Sequence, residues 1–257
     1  MGRTDYFDAN NYEFNPESPD AVYIIHGFTS TTYEVRELAE FLGNKGYHVK
    51  ADNLPGHGTN INDCNRVKYP DWLQHVEQGV AEMAAESESV FVVGMSMGGV
   101  LGLHLASLFP INGLVIGATV IEFINEKNLK YFNSWLHPIF PKLKKKRFYD
   151  KKEAENMIFY GYDNYPMKAL QQFYKMNKHV KSELKSVKCP LYIIHAEDDK
   201  TSKDANVDII NNGVSSNSKQ VLRVRNANHH LFNKSPDQEQ IFDNVHSFIE
   251  ANRKMKV

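Results

Sequence analysis

The feature that most constrains this chain is a set of short runs that are apolar at every position. Ala21–Ile25, Val90–Val93, Leu114–Ile116 and Leu191–Ile194 contain no alternating polar residue. A strand with one face in water alternates, whereas a strand covered on both faces does not. Between these runs lie segments with helical spacing. Residues 33–42 place Val35, Leu38, Ala39 and Leu42 on one face, with Gly43 and Gly46 closing the segment. Pro70 opens a second helix to about Glu86, with Trp72, Val76, Val80 and Met83 on a common stripe. Val100–Phe109 forms an apolar third. Tyr47–Ala51 and residues 219–225 complete about six strands, and further helices are expected near 204–211 and 236–252. Strand and helix in alternation require a parallel sheet with helices on both faces. Six strands are too few for a closed eight-unit barrel, so an open, doubly wound α/β sheet is expected.

The alternation stops at about residue 119 and resumes near 183. The segment between holds aromatic and basic residues without a comparable strand run, and it reads as a helical insertion. The expected division is a core of residues 1–118 and 183–257, with 119–182 as a cap. Within it, Lys142, Lys144, Lys145, Lys146, Arg147, Lys151 and Lys152 form a basic cluster near Trp135 and Phe140. A run of charge is ordinarily a solvated face. The sharper expectation is that this one draws the cap to anionic lipid, a peripheral contact. Half or more of the segment's aromatic residues are expected to form its own small core, and the others to line a pocket.

Composition excludes other classes. The 257 residues carry 30 Lys plus Arg against 31 Asp plus Glu, a net charge of −1, which disfavours a general nucleic-acid binder. Two cysteines, Cys64 and Cys189, make neither a disulfide framework nor a CxxC metal pair, so a reducing, cytoplasmic setting is expected. The N-terminus is polar and acidic where a signal peptide would be apolar. The apolar runs fall far short of the ~20 residues of a membrane-spanning helix. No metal or cofactor is expected, and the chain is expected as a monomer or homodimer.

The sharpest local signal is Gly94-Met95-Ser96-Met97-Gly98, a GxSxG sequence set between an apolar strand and an apolar helix. Glycines two before and two after the serine let strand and helix approach while the serine holds a strained turn. The hydroxyl then stands at a helix N-terminus, among free N–H groups and partial positive charge. A serine nucleophile needs a base, normally histidine, and the histidine an orienting carboxylate. Two loops after later strands offer them. His195-Ala-Glu-Asp-Asp199 presents Glu197, Asp198 and Asp199; Asn226-Ala-Asn-His-His230 presents His229 and His230. The residue pattern leaves both choices open. His26, His57, His104 and His195 lie away from the expected loop and read as structural or supporting histidines.

These pieces together resemble α/β-hydrolase carboxylesterases and bacterial monoacylglycerol lipases. The resemblance runs over about 20–118 and 185–250. It rests on His26-Gly-Phe-Thr-Ser30, Pro55-Gly-His-Gly58, Gly94-Met-Ser-Met-Gly-Gly99, Glu197-Asp-Asp199 and Arg225-Asn-Ala-Asn-His229. More loosely, Pro166-Met-Lys-Ala-Leu170 is similar to a cap stretch of these esterases. The resemblance implies an α/β-hydrolase fold, a mostly parallel open sheet flanked by helices with a helical cap over the serine. It selects Asp199, seven residues before Asn206-Val-Asp-Ile-Ile210, as the acid and His229 as the base. His230 departs from the family, where the position is usually apolar. The implied oxyanion donors are the N–H groups of Phe28 and Met97. The implied function is hydrolysis of short- or medium-chain carboxylic esters or monoacylglycerols through an acyl-enzyme. Thioester hydrolysis on the same triad and a non-catalytic binding protein on the same fold are the alternatives. A dehalogenase would carry Asp at position 96.

Overall fold

A computed structural model describes residues 10–126, 140–145, 161–225, 227–233, 235 and 237–253. Its centre is a seven-stranded sheet. The strands are β1 (Tyr12–Phe14), β2 (Asp20–Ile25), β3 (His48–Ala51), β4 (Ser89–Met95), β5 (Gly113–Gly117), β8 (Leu191–Ala196) and β9 (Lys219–Val224), in the order β1-β3-β2-β4-β5-β8-β9. All neighbours are parallel except β1, which runs antiparallel to β3 with Tyr12 opposite Ala51. The six expected strands are all present. The seventh, β1, is three residues at the sheet edge, too short to leave a period in the sequence.

The unbroken apolar runs follow from burial on both faces. In β2, Ala21, Tyr23 and Ile25 join the core on one side, while Val22 and Ile24 join the core on the other. The first side is covered by α3 (Tyr69–Glu86), α4 (Met97–Leu108) and α5 (Met167–Glu183); the second by α1 (Arg36–Asn44) and α7 (Gln238–Asn252). Between β8 and β9 lies α6 (Ala205–Gly213), and α2 (Ile61–Cys64) is a single turn before α3. The predicted stripe of α3 is correct: Trp72, Val76, Val80 and Met83 are all buried. Burying one such large side chain stabilises by about 1.5–3 kcal/mol, and Trp72 also satisfies its Nε1–H on the Pro55 carbonyl at 2.9 Å.

Two details differ from the sequence expectation. The helix expected from residue 33 begins as a 3-10 turn, Thr32–Val35, before α1. The segment 119–182 contains strand as well as helix: β6 (Lys142–Lys144) pairs antiparallel with β7 (Asn164–Pro166). With only three residues each, and Lys-Leu-Lys in β6, these strands carry no apolar run to detect. Lys146, Arg147, Lys151, Lys152 and Trp135 lie outside the described residues. Lys142 and Lys144 are exposed, as is Phe140, but Lys145 turns inward and donates to Thr29 Oγ1 at 2.5 Å. Phe173 and Tyr174 are buried.

Candidate active site

Strand β4 ends at Met95 and α4 begins at Met97, so Ser96 alone makes the turn. Its backbone sits at φ 55°, ψ −110°, a region that non-glycine residues rarely occupy. The neighbouring glycines make this turn feasible. A Cβ on Gly94 would lie 2.2 Å from the Gly98 carbonyl oxygen, and one on Gly98 would lie 2.1 Å from that of Ile25. Gly99 is equally confined, 2.1 Å from Thr119 Oγ1. Gly94 and Gly98 are therefore fixed by backbone packing, and Gly99 by the Thr119 side chain. The Ser96 N–H donates to the Gly117 carbonyl at 2.8 Å, which ties the strained turn to β5.

His229 and Asp199 meet this serine from loops that follow β9 and β8. His229 Nε2 is 3.0 Å from Ser96 Oγ, and His229 Nδ1 is 2.7 Å from Asp199 Oδ2. The other Asp199 oxygen accepts the N–H groups of Thr201 at 2.7 Å and Ser202 at 2.9 Å. Burial acts to raise the Asp199 carboxyl. The His229 hydrogen bond and charge, with the Ser202 and Thr201 N–H groups, outweigh it and hold the acid below the ordinary carboxylate value. An ionised Asp199 fixes the Nδ1–H tautomer and leaves Nε2 with a lone pair toward the hydroxyl. Glu197 and Asp198, the other carboxylates of the loop, are exposed, and Glu197 faces Arg225.

His230 turns the opposite way. Its Nδ1 is 3.1 Å from Glu34 Oε1, while Glu34 Oε2 accepts the Gly27 N–H at 2.6 Å. Burial acts to raise the Glu34 carboxyl, but the His230 hydrogen bond and charge, and then the Gly27 N–H, bring it below its usual value. Glu34 thus links the His229-His230 loop to the His26-Gly27-Phe28 turn. Sequence reasoning missed it, since an acidic residue on a 3-10 turn gives no local sign of burial. Gly27 is pinned between this carboxylate and the serine: a Cβ there would lie 3.0 Å from Glu34 Oε2 and 3.2 Å from Ser96 Cβ.

Phe28 follows directly, and Met97 is the first residue of α4, where an N–H has no intrahelical acceptor. Met97 thus directly follows Ser96 in the chain, and Phe28 directly follows Gly27, which lies against the Ser96 side chain. The Phe28 ring packs 5.3 Å from Phe173, which lies 5.0 Å from Phe123. Behind the turn, His26 donates Nδ1–H to the Gly27 carbonyl and accepts the Leu54 N–H on Nε2. Desolvation lowers His26 to about 4 and His57 to about 3, so both are neutral framework groups. His195 is buried beside the acid loop, and its burial lowers it too.

Residues 16–236 match the family described as serine aminopeptidase, S33. The chain belongs to this family. The chain is also similar to a thermostable monoacylglycerol lipase from Bacillus sp. (strain H-257), 32% identical over 239 residues that cover 90% of each chain. A carboxylesterase from Bacillus subtilis (strain 168) is 25% identical over 90% of this chain and 92% of its own. Among solved structures, a metagenome-derived lipolytic enzyme superposes with a TM-score of 0.86 at 25% identity, covering 95% of this chain and 98% of that one. This S33 chain accordingly has the α/β-hydrolase fold expected of it.

Proposed function

We propose that the protein hydrolyses carboxylic esters, with monoacylglycerols and short- to medium-chain esters as substrates, through an acyl-enzyme on Ser96. The observation that carries this reading is the unbroken hydrogen-bonded series Asp199–His229–Ser96 at a helix N-terminus. His229 Nε2 takes the Ser96 proton as Oγ attacks the ester carbonyl. Asp199 stabilises the imidazolium so formed. The N–H groups of Phe28 and Met97 hold the developing oxyanion; the Gly27 N–H is already committed to Glu34. His229 then protonates the departing alcohol. Water, deprotonated by the same histidine, releases the acid and restores Ser96.

The substrate class is supported by the 32% identical lipase. In this reading residues 119–182 act as a cap on the core formed by 1–118 and 183–257. The Tyr162 N–H bonds the Thr29 carbonyl at 3.0 Å, and Lys145 bonds the Thr29 side chain, so the segment rests on the turn that bears Phe28. The same segment exposes Phe140 and Leu143 beside Lys142 and Lys144, a set suited to peripheral contact with an anionic lipid surface. No helix among the described residues is long and apolar enough to cross a membrane.

The deciding experiment is an acyl-chain series of p-nitrophenyl esters and monoacylglycerols, run beside acyl-CoA and aminoacyl p-nitroanilides. The expected result is turnover of the oxygen esters with a defined chain-length optimum, lost in Ser96→Ala. Preferred turnover of the thioester or of the anilides would replace this reading, and ester turnover retained near the wild-type rate by Ser96→Ala would remove it. For lipid contact, charge reversal at Lys142 and Lys144 should weaken co-sedimentation with anionic vesicles; unchanged co-sedimentation rejects that part.

A further inference from the structure

A second group of histidines and carboxylates lies around the body of α4, apart from the hydroxyl and acid of the esterase site. His104, eight residues beyond Ser96, is buried, with its side chain 4% exposed. Its Nδ1 is 2.8 Å from Glu183 Oε2 on α5, and its Nε2 is 2.8 Å from Glu77 Oε1 on α3. Glu183 presents its other oxygen to His179 Nε2 at 3.0 Å, one turn earlier on α5. One donor atom each from His104, His179 and Glu183 lie within 4.8 Å of one another.

We propose that His104, His179 and Glu183 form a binding site for a divalent transition cation of the zinc type. The donor set is two imidazole nitrogens and a carboxylate oxygen, the combination that suits zinc better than magnesium or calcium. The protonation requirement points the same way. An imidazole that carries a single N–H donates to only one of the two carboxylates that His104 touches. A cation on Nδ1, shared with Glu183, leaves Nε2–H to donate to Glu77. That is the carboxylate–histidine–metal arrangement in which the outer carboxylate fixes the ring and its tautomer. His179 and Glu183 are four apart on one helix, so both side chains project from the same face. Access comes through the outer ligands: the His179 side chain is 44% exposed and that of Glu183 19%. Small movements suffice, because ligands at about 2.0–2.2 Å from zinc in tetrahedral geometry stand about 3.3 Å apart. A bound cation would join α5, which closes the 119–182 segment, to α4, the helix that begins at Met97.

The test is calorimetric titration of Zn²⁺ into untagged, chelator-stripped full-length protein. The expected result is one zinc per chain at micromolar Kd or tighter, not competed by Mg²⁺, with a Tm that rises with zinc concentration. His179→Ala and Glu183→Gln should each weaken binding at least tenfold; both positions are surface-accessible, so folding is expected to survive. His246, paired at i,i+4 with Glu250 on α7 at 3.9 Å, is the control, and His246→Ala should bind like wild type. Ser96→Ala should also bind zinc normally, which separates this inference from the esterase reading. No stoichiometric binding, or binding kept by His179→Ala and lost in His246→Ala, would overturn the assignment.

Discussion

Helix α4 has a histidine beside it at its start and another in its body, and the two stand in opposite chemical situations. At the start, His229 lies between one carboxylate, Asp199, and one hydroxyl, Ser96. In the body, His104 lies between two carboxylates, Glu77 and Glu183. Both are well fixed and both have an acidic partner. Only His229 also faces a group with a proton to give, so only His229 is placed to be a base. His104 faces acceptors on both sides and can only donate, or share a cation with them. The pairing of histidine with acid therefore does not mark an active site; the third partner does.

The largest effects should fall on the first site alone. Ser96→Ala is expected to lower kcat for an ester substrate by about 10⁶-fold, read by burst-free steady-state turnover, with Tm changed little. Asp199→Asn removes the acceptor that fixes the His229 tautomer and should cost about 10⁴-fold in kcat. A loss under tenfold in Asp199→Asn would mean that the hydrogen bond at 2.7 Å does not select the tautomer.

A third kind of histidine sharpens the contrast. His26 and His57 bond to backbone and are depressed to about 4 and about 3 by burial. The unfolded chain protonates these rings first, as pH falls below the ordinary value near 6.5. Their contribution is thus intact above pH 6.5 and is lost as pH falls toward 4 and then 3. Each adds a slope of roughly 1.4 kcal/mol per pH unit inside its window. Urea unfolding at pH 7 and pH 5 measures this, and equal stability at the two values would show that the rings are not neutral. The smallest effect belongs to His104→Gln. It leaves one carboxylate without its donor and should cost about 1–3 kcal/mol in urea unfolding, while kcat/KM stays within about threefold of wild type. A hundredfold loss of kcat/KM would join the two regions that the comparison separates.

Much of the fold was readable because the uniform burial of β2, β4, β5 and β8 leaves uniform apolar runs. β1 and the β6–β7 pair were not, since three residues cannot express a period. The serine was readable because its constraints are local: Gly94, Gly98 and Gly99 each meet backbone or a neighbouring side chain within about one turn of the elbow or across one strand. The residue pattern alone only narrowed its partners, and the family resemblance selected Asp199 and His229. Asp199 differs from Asp198 by which one the loop folds inward, and His229 from His230 by whether the ring faces Ser96 or Glu34. Glu34 and the Glu77–His104–Glu183 group left no trace in the sequence, because the Glu77–His104, His104–Glu183 and Glu34–His230 contacts span 27, 79 and 196 residues.

The most direct measurement of the central claim is labelling with a fluorophosphonate probe, followed by mass-spectrometric mapping of the modified peptide. One adduct per chain on Ser96, absent in Ser96→Ala and slowed in Asp199→Asn, is the predicted result. A wild-type chain that stays unlabelled, or an adduct on another residue, would contradict a nucleophile at Ser96.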